Sequence, residues 1–347
     1  MIAYKQEDFV MHMADALLSP AIGGVMTAVS AVAIGYSAKR IAGDKFDEKK
    51  IPMMGVMGAF VFAGQMINFT IPGTGSSGHI GGGILLAALL GPFPALLTLA
   101  AALLIQCLFF ADGGLLAYGC NVFNMGVCAC LLAYPLVYKP IVRRGMDKKR
   151  IVAASVVSVA LGLQAGSLCV VLETLASGVT ELPFGAFALL MQPIHLAIGL
   201  VEGVVTAAVL CFVHSARPEI LDSSVGDTKL ASGLSTKKVL ATFLVLTALV
   251  GAGLSLFASG NPDGLEWSME GVAGTAQLER EGAVHDAMGE VVETTAFMPN
   301  YSFGEDSSAF GTASAGIVGS VITIVLAGGI GFIIHSARKK ASAKTDA

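Results

Sequence analysis

Tyr138-Lys139-Pro140-Ile141-Val142-Arg143-Arg144-Gly145-Met146-Asp147-Lys148-Lys149-Arg150 carries six basic residues in thirteen and separates two apolar stretches, 117–137 and 151–174. Each stretch matches the ~20 helical residues needed to cross a bilayer core. A basic break between two such spans marks a chain that crosses a membrane and turns back, and the arrangement recurs along the sequence. Apolar segments lie near 14–37, 51–69, 77–91, 93–111, 117–137, 151–174, 188–213, 239–258 and 314–336, with Gly91-Pro92 as a tight break between the third and fourth. Composition agrees: 13% of residues are charged and 54% hydrophobic, against about 25% charged in soluble domains, and the mean hydropathy is +0.75. The expected fold is all-α, a polytopic integral membrane protein.

The basic residues orient it. Loop 38–50 holds Lys39, Arg40, Lys45, Lys49 and Lys50; loop 214–238 holds Arg217, Lys229, Lys237 and Lys238; the tail holds Arg338, Lys339, Lys340 and Lys344. With the quoted stretch these make 19 of the 21 Lys and Arg residues, leaving only Lys5 and Arg280. Nine crossings place all four regions on one side, which the positive-inside rule makes cytoplasmic. The N-terminus is then external and the C-terminus cytoplasmic. Segments 70–79, 112–116, 175–187 and 259–313 face outward with the N-terminus. The last is acidic, read either as a cation-attracting surface or as a solvated loop. The polar stretch 217–235 reads as a cytoplasmic linker between a main module of about seven helices (11–216) and a two-helix accessory module (236–347). Residues 1–10 contain Lys5, Glu7 and Asp8 and no apolar run of a secretory signal. The six cysteines lie in or near apolar segments and read as buried free thiols.

Two places carry candidate chemistry. In Met11-His12-Met13-Ala14-Asp15 a methionine is followed at once by histidine. A chain beginning at Met11 would offer an amine, an amide nitrogen and an imidazole on consecutive residues, a nitrogen set suited to late transition metals. The second place is Pro72-Gly73-Thr74-Gly75-Ser76-Ser77-Gly78-His79-Ile80-Gly81-Gly82-Gly83, whose glycines let backbone fold back into a bundle. His12 and His79 both fall on the external side. Together they would complete a four-nitrogen, near-square-planar site that suits Ni(II) or Cu(II) and accepts Co(II). Asn121 and Asn124, three apart at an external helix start, either hydrogen-bond that site or cap and pack the helix. His195 and Glu202, seven apart on one helical face, form either a polar packing contact or an ion path. His214, His285 and His335 are expected to be solvated. No Gly-Lys-Ser/Thr phosphate loop occurs, so the chain shows no means of using ATP itself. No His-Glu-x-x-His pattern occurs either, and a saturated nitrogen site favours binding over catalysis. The chain is not expected to be an enzyme.

Several separated motifs, in order, resemble the CbiM/NikM family: Met11-His12-Met13-Ala14-Asp15-Ala16-Leu17-Leu18-Ser19-Pro20, the Ser77-Gly78-His79 loop, Gly119-Cys120-Asn121-Val122-Phe123-Asn124-Met125, and His195 with Ile198-Gly199 and Glu202-Gly203. Asn261-Pro262-Asp263-Gly264-Leu265-Glu266-Trp267 resembles the PDGLE motif of the small NikN-type subunit, here fused behind the first module. The family's proteins are the substrate-capture components of energy-coupling-factor transporters for cobalt and nickel. The resemblance implies metal ligands at Met11, His12 and His79, with Asp15, Ser77, Asn121, Asn124, His195 and Glu202 as candidates for orienting them. It implies translation from Met11 or removal of residues 1–10, because the amine ligand needs a free Met11. The implied function is capture of Ni2+ or Co2+ as transported ligand, with nickel favoured by the planar donor set and the NikN-like tail. No bound cofactor is expected. The implied partners are a transmembrane coupling subunit and two cytoplasmic ATPases in a prokaryotic inner membrane, with Gly24, Ala28, Ala31 and Gly35 as a packing surface for the coupling subunit. Membrane lipid surrounds the chain, and no nucleic acid is involved. A stand-alone divalent-metal channel or secondary transporter is the alternative, separable by ion flux from this chain alone in liposomes.

Overall fold

The computed structural model describes residues 12–43, 46–230, 236–276, 278, 282–302 and 309–345. Met11, the 1–10 extension, residues 231–235 of the expected linker, and Glu279, Arg280, Glu281, Glu305 and Asp306 of the expected acidic loop lie outside them. Twelve helices and a hairpin carry the argument. They are α1 (Pro20–Ile41), α2 (Lys50–Gln65), β1 (Phe69–Ile71), β2 (Ser76–Gly78), α3 (Gly83–Leu90), α4 (Pro92–Phe110) and α5 (Tyr118–Arg143). There follow α6 (Lys148–Ser177), α7 (Phe184–Ala216), α8 (Pro218–Gly226), α9 (Thr236–Ala252), α10 (Gly264–Ala273), α11 (Ala283–Thr295) and α12 (Ala309–Thr345).

Local chemistry sets the helix ends. Ser19 caps α1 by accepting from Ile22 N at 3.4 Å, Pro20 occupies its first turn, and Lys39 and Arg40 lie in its last, where cations offset the partial negative charge of the helix end. Asp147 caps α6 through Arg150 N at 3.0 Å, and Gly178 ends it in the left-handed region at φ 61°. Gly91, at φ 96°, turns the chain from α3 into α4, with Pro92 at the start of the new helix. Within α5, Lys139 N reaches back five residues to Tyr134 O, a wide π-type turn around Pro135.

Among the described residues, seven helices are long and apolar enough to cross a membrane: Pro20–Ile41, Pro92–Phe110, Tyr118–Arg143, Lys148–Ser177, Phe184–Ala216, Thr236–Phe257 and Phe310–Ala337. The other two apolar segments depart from the expected spans. The third, expected over 77–91, is helical only over Gly83–Leu90, about 12 Å of rise, because its first part is strand and glycine loop. α2 has 16 residues, nearly all buried. These two elements run antiparallel inside the bundle: Gln65 Nε2 donates to Gly81 O at one end (3.2 Å) and Lys50 Nζ to Leu90 O at the other (3.1 Å).

The last two long helices pack into the main bundle. α12 lies so close to α2 that a Cβ on Gly55 would stand 2.7 Å from Ile324 O; such backbone approach is how helices gain contact where lipid removes the hydrophobic drive for association. The stretch expected as a polar linker contains α8, whose Ile220, Leu221 and Val225 are buried. Its Ser224 Oγ donates to Ala87 O at 2.9 Å. The segment expected as an acidic loop holds α10 and α11. Two histidines expected in solvent are buried instead: His285 Nε2 lies 3.0 Å from Leu18 O and His335 Nε2 3.1 Å from Glu48 Oε1; His214 is half-buried. His285 on α11 packs against the chain before α1 and His335 on α12 against the α1–α2 loop, packing which hydropathy along the chain does not register. All six cysteines are free, four of them buried.

Candidate metal centre

Residues 12–18 run into the bundle as irregular chain with one 3-10 turn at Asp15–Leu17, anchored by the buried side chains of Met13, Leu17 and Leu18. Its backbone is paired by distant residues. Met13 N donates to Asn121 Oδ1 and Asn121 Nδ2 donates to Met13 O, each at 3.1 Å. Gly114 N donates to the same carbonyl at 3.0 Å, and Ala117 N donates to Asp15 Oδ1 at 2.8 Å. Burial raises the Asp15 carboxyl above the ordinary range against these bonds. Asn121 and Asp15 therefore position His12 by holding the backbone on either side of it.

His79 leaves the β1–β2 hairpin, where Phe69 pairs with Gly78 and Ile71 with Ser76. Gly82 carries φ 75°, a left-handed conformation at a position where any Cβ would also strike Val61. Its N–H donates to Glu202 Oε1 at 2.9 Å, so the intramembrane carboxylate holds the loop that presents His79.

The two histidines meet. Their ring centroids are 5.3 Å apart at an interplanar angle of 58°. A metal 2.0–2.1 Å from one nitrogen of each ring would sit about 3.2 Å from either centroid, a separation these rings span. His12 Nδ1 lies 3.0 Å from Asp112 Oδ1, both side chains being 1% exposed. A carboxylate at this distance from Nδ1 favours the tautomer that leaves the lone pair on Nε2. Both ring nitrogens are buried, and neither makes a well-directed hydrogen bond among the described residues. Tyr301 OH donates to Asp112 Oδ2 at 2.6 Å. Burial opposes ionisation of Asp112, yet the charge and hydrogen bond of His12, the Tyr301 hydroxyl and His79 together hold its carboxyl below the usual range. Burial and the neighbouring Asp112 push the Tyr301 phenol well up, so it keeps its proton.

His12 and His79 face a cavity of about 90 Å³ that Asn121, Asn124, His195 and Asp263 also line. His195 Nδ1 lies 2.7 Å from Met191 O, and as donor there it leaves Nε2 the basic nitrogen. Asn124 Nδ2 donates to Glu173 Oε2 at 2.8 Å, while Asn124 Oδ1 is buried without a partner among the described residues. Of the residues considered from sequence, Asp15, Ser77 and Glu202 stand back from the cavity and act on backbone. Among the described residues no group of three or more His, Cys, Asp and Glu converges as a metal cage.

The acidic-side segment closes over this site. Ser77 N donates to Pro262 O (2.7 Å), Ser77 Oγ to Asn261 O (2.8 Å) and Trp267 Nε1 to Thr74 O (3.0 Å). Asp263 caps α10 by accepting from Leu265 N and Glu266 N, each at 2.8 Å, with Glu266 returning the bond to Asp263 N. Burial and the adjacent Glu266 raise the Asp263 carboxyl well above the ordinary range. Gly264 lies against His195 and Ile198, where a Cβ would stand 3.0 Å and 2.8 Å from their atoms.

Sequence reading missed Asp112 and Glu173 and took Asp263 only as part of a motif. The available signals were a carboxylate ending an apolar span at Ala111-Asp112-Gly113-Gly114 and a lone carboxylate within apolar segment 151–174.

A family model described as the cobalt uptake substrate-specific transmembrane region matches residues 12–220, and a PDGLE domain model matches residues 237–336. The chain is 32% identical over 318 residues to a putative fused nickel transport protein NikMN of Archaeoglobus fulgidus, an alignment covering 91% of this chain and 96% of that one. It is also 32% identical to the cobalt transport protein CbiM of Sorangium cellulosum, over 61% of this chain and 95% of that one. A crystal structure of a transition metal transporter superposes with a TM-score of 0.53 at 31% identity, covering 60% of this chain and 95% of the other.

Proposed function

The chain belongs to the CbiM family of cobalt-uptake transmembrane proteins, with a PDGLE domain behind it, and from that premise we propose that it captures Ni2+ or Co2+ at the outer face for an ATP-driven importer of the energy-coupling-factor type. The observation that carries this is the approach of the buried His12 and of His79 at one cavity, with both ring nitrogens of His12 free of well-directed hydrogen bonds among the described residues. Imidazole suits both metals, and Asp112 on Nδ1 raises the basicity of Nε2 and fixes its direction. A free amine at Met11 would add a third donor. A chelate through the His12 amide would require Nδ1, hence rotation of the ring away from Asp112. Nickel is the favoured ion, on the fused nickel-transport relative.

An ion that coordinates both imidazoles exchanges part of its hydration shell for them. The Asn261–Trp267 segment, hydrogen-bonded to the hairpin, holds the His79 loop in place. In this reading the basic end of the bundle is cytoplasmic and the metal end external. A separate coupling subunit and two ATPases supply the energy, in keeping with a sequence that lacks a phosphate loop.

Isothermal titration of the detergent-purified full chain with Ni2+ and Co2+, beside His12→Ala and His79→Ala, tests the site. Retained tight binding in both variants overturns it. Comparing protein freed at Met11 with protein carrying residues 1–10 tests the amine donor. Metal flux from the chain alone in liposomes would overturn the dependence on ATPases and leave a channel or secondary transporter.

A further inference from the structure

At the opposite end of the molecule, α7, α8 and α9 leave a cleft of about 240 Å³ that the metal site does not use. Its floor and walls are apolar: Val213, Ile220, Val239 and Phe243 are buried along it. Two cations stand at its rim, Arg217 where α7 ends and Lys238 in the first turn of α9. Arg217 is 41% exposed, and its nearest counter-charge, Glu219, is 3.8 Å away, too far for a tight ion pair. One wall is Phe212, 52% exposed, and further along α9 Val245 and Leu249 are each 60% exposed, on a helix long and apolar enough to meet acyl chains.

An apolar cleft that opens onto the lipid-facing surface, with cations where the helices leave the membrane, fits an amphiphile with an anionic head. We infer that this cleft is a binding site for an anionic phospholipid, its phosphate between Arg217 and Lys238 and an acyl chain along Val213, Val239 and Phe243. A lipid seated there would join the end of the first module to the start of the PDGLE module at the point where the chain passes from one to the other. The charge complementarity of the rim and the exposed Phe212 on the cleft wall favour this occupant over a protein partner.

The full chain in mild detergent, offered phosphatidylglycerol or phosphatidylcholine with the same acyl chains, is read by native mass spectrometry. Phosphatidylglycerol is expected to be retained in preference, and inorganic phosphate in large excess is expected not to displace it. Arg217→Gln/Lys238→Gln should reduce that retention about 30-fold, from two surface-level cations. Thr242→Trp, which fills the cleft with the charges intact, should also remove it, and Arg144→Gln/Lys149→Gln, at the same end outside the cleft, should leave it unchanged. Equal retention of the two lipids, displacement by phosphate, retention unaffected by either cleft variant, or equal loss in the Arg144/Lys149 pair overturns the site.

Discussion

The metal end of the bundle is irregular backbone held by side chains, whereas the basic end is regular helix joined by charged groups. At the metal end, Asn121, Asp15, Glu202 and Ser77 each bond the main chain of a segment far away in sequence. At the basic end, Lys139 pairs with Asp227 at 2.6 Å, His335 lies against Glu48 at 3.1 Å, and Asp47 accepts from Leu230 N at 2.7 Å. The difference follows from the task of each end. Unpaired backbone at membrane depth is tolerated only where protein buries and satisfies it, so the loop that carries His79 needs a polar partner for each exposed amide. The basic end meets water and headgroups, where exposed ion pairs contribute little to stability and the charges serve orientation.

That contrast predicts steep effects at one end and shallow ones at the other. The largest belongs to the imidazoles: His12→Ala or His79→Ala should weaken Ni2+ binding more than about 100-fold in titration calorimetry, beyond the range for residues that only orient a ligand. Asp112→Asn keeps the shape but removes the charge behind His12, and should cost about 10–100-fold in affinity with little change in melting temperature. An unaltered affinity would mean that the His12–Asp112 contact does not tune the metal nitrogen.

Smaller effects fall on the scaffold. Asn121→Ala removes both bonds to Met13 and leaves a buried amide unpaired, a loss of about 1–3 kcal/mol that thermal unfolding and metal affinity should both register. Gly264→Val forces a side chain onto His195 and Ile198 and should cost about 1–3 kcal/mol, with slower metal loading if α10 is displaced over the cavity. The least effect is expected at the other end. Lys139→Gln breaks a pair whose Asp227 side chain is 63% exposed, so under about 1 kcal/mol is lost and metal affinity stays unchanged. A Lys139→Gln effect as large as that of Asn121→Ala would erase the distinction between the ends.

Much of the fold is legible in hydropathy and charge, because both are local properties. Long apolar runs fall on the long helices, and basic residues on the loops that gather at one end. Span length misleads at 77–91, where apolar residues and glycines read alike but only Gly83–Leu90 is helical; a glycine-rich loop buried in protein needs the same low polarity as a helix in lipid. The stretches 217–235 and 259–313 read as linker and loop because their surfaces are polar, yet α8, α10 and α11 are short amphipathic helices resting on the bundle.

By itself the sequence determined that the chain lies in a membrane, which residues end its spans, which motifs tie it to its family, and that His12 and His79 deserve attention. Tertiary structure alone decided that the two rings stand 5.3 Å apart, that Asp112 is the carboxylate on His12, and that the Asp263–Gly264 turn lies against the cavity. The reason is separation along the chain. The Met13–Asn121 bonds join residues 108 apart and the Ser77–Asn261 bond joins residues 184 apart; no local pattern encodes such pairings, which exist only once packed helices bring the ends of different spans to one level.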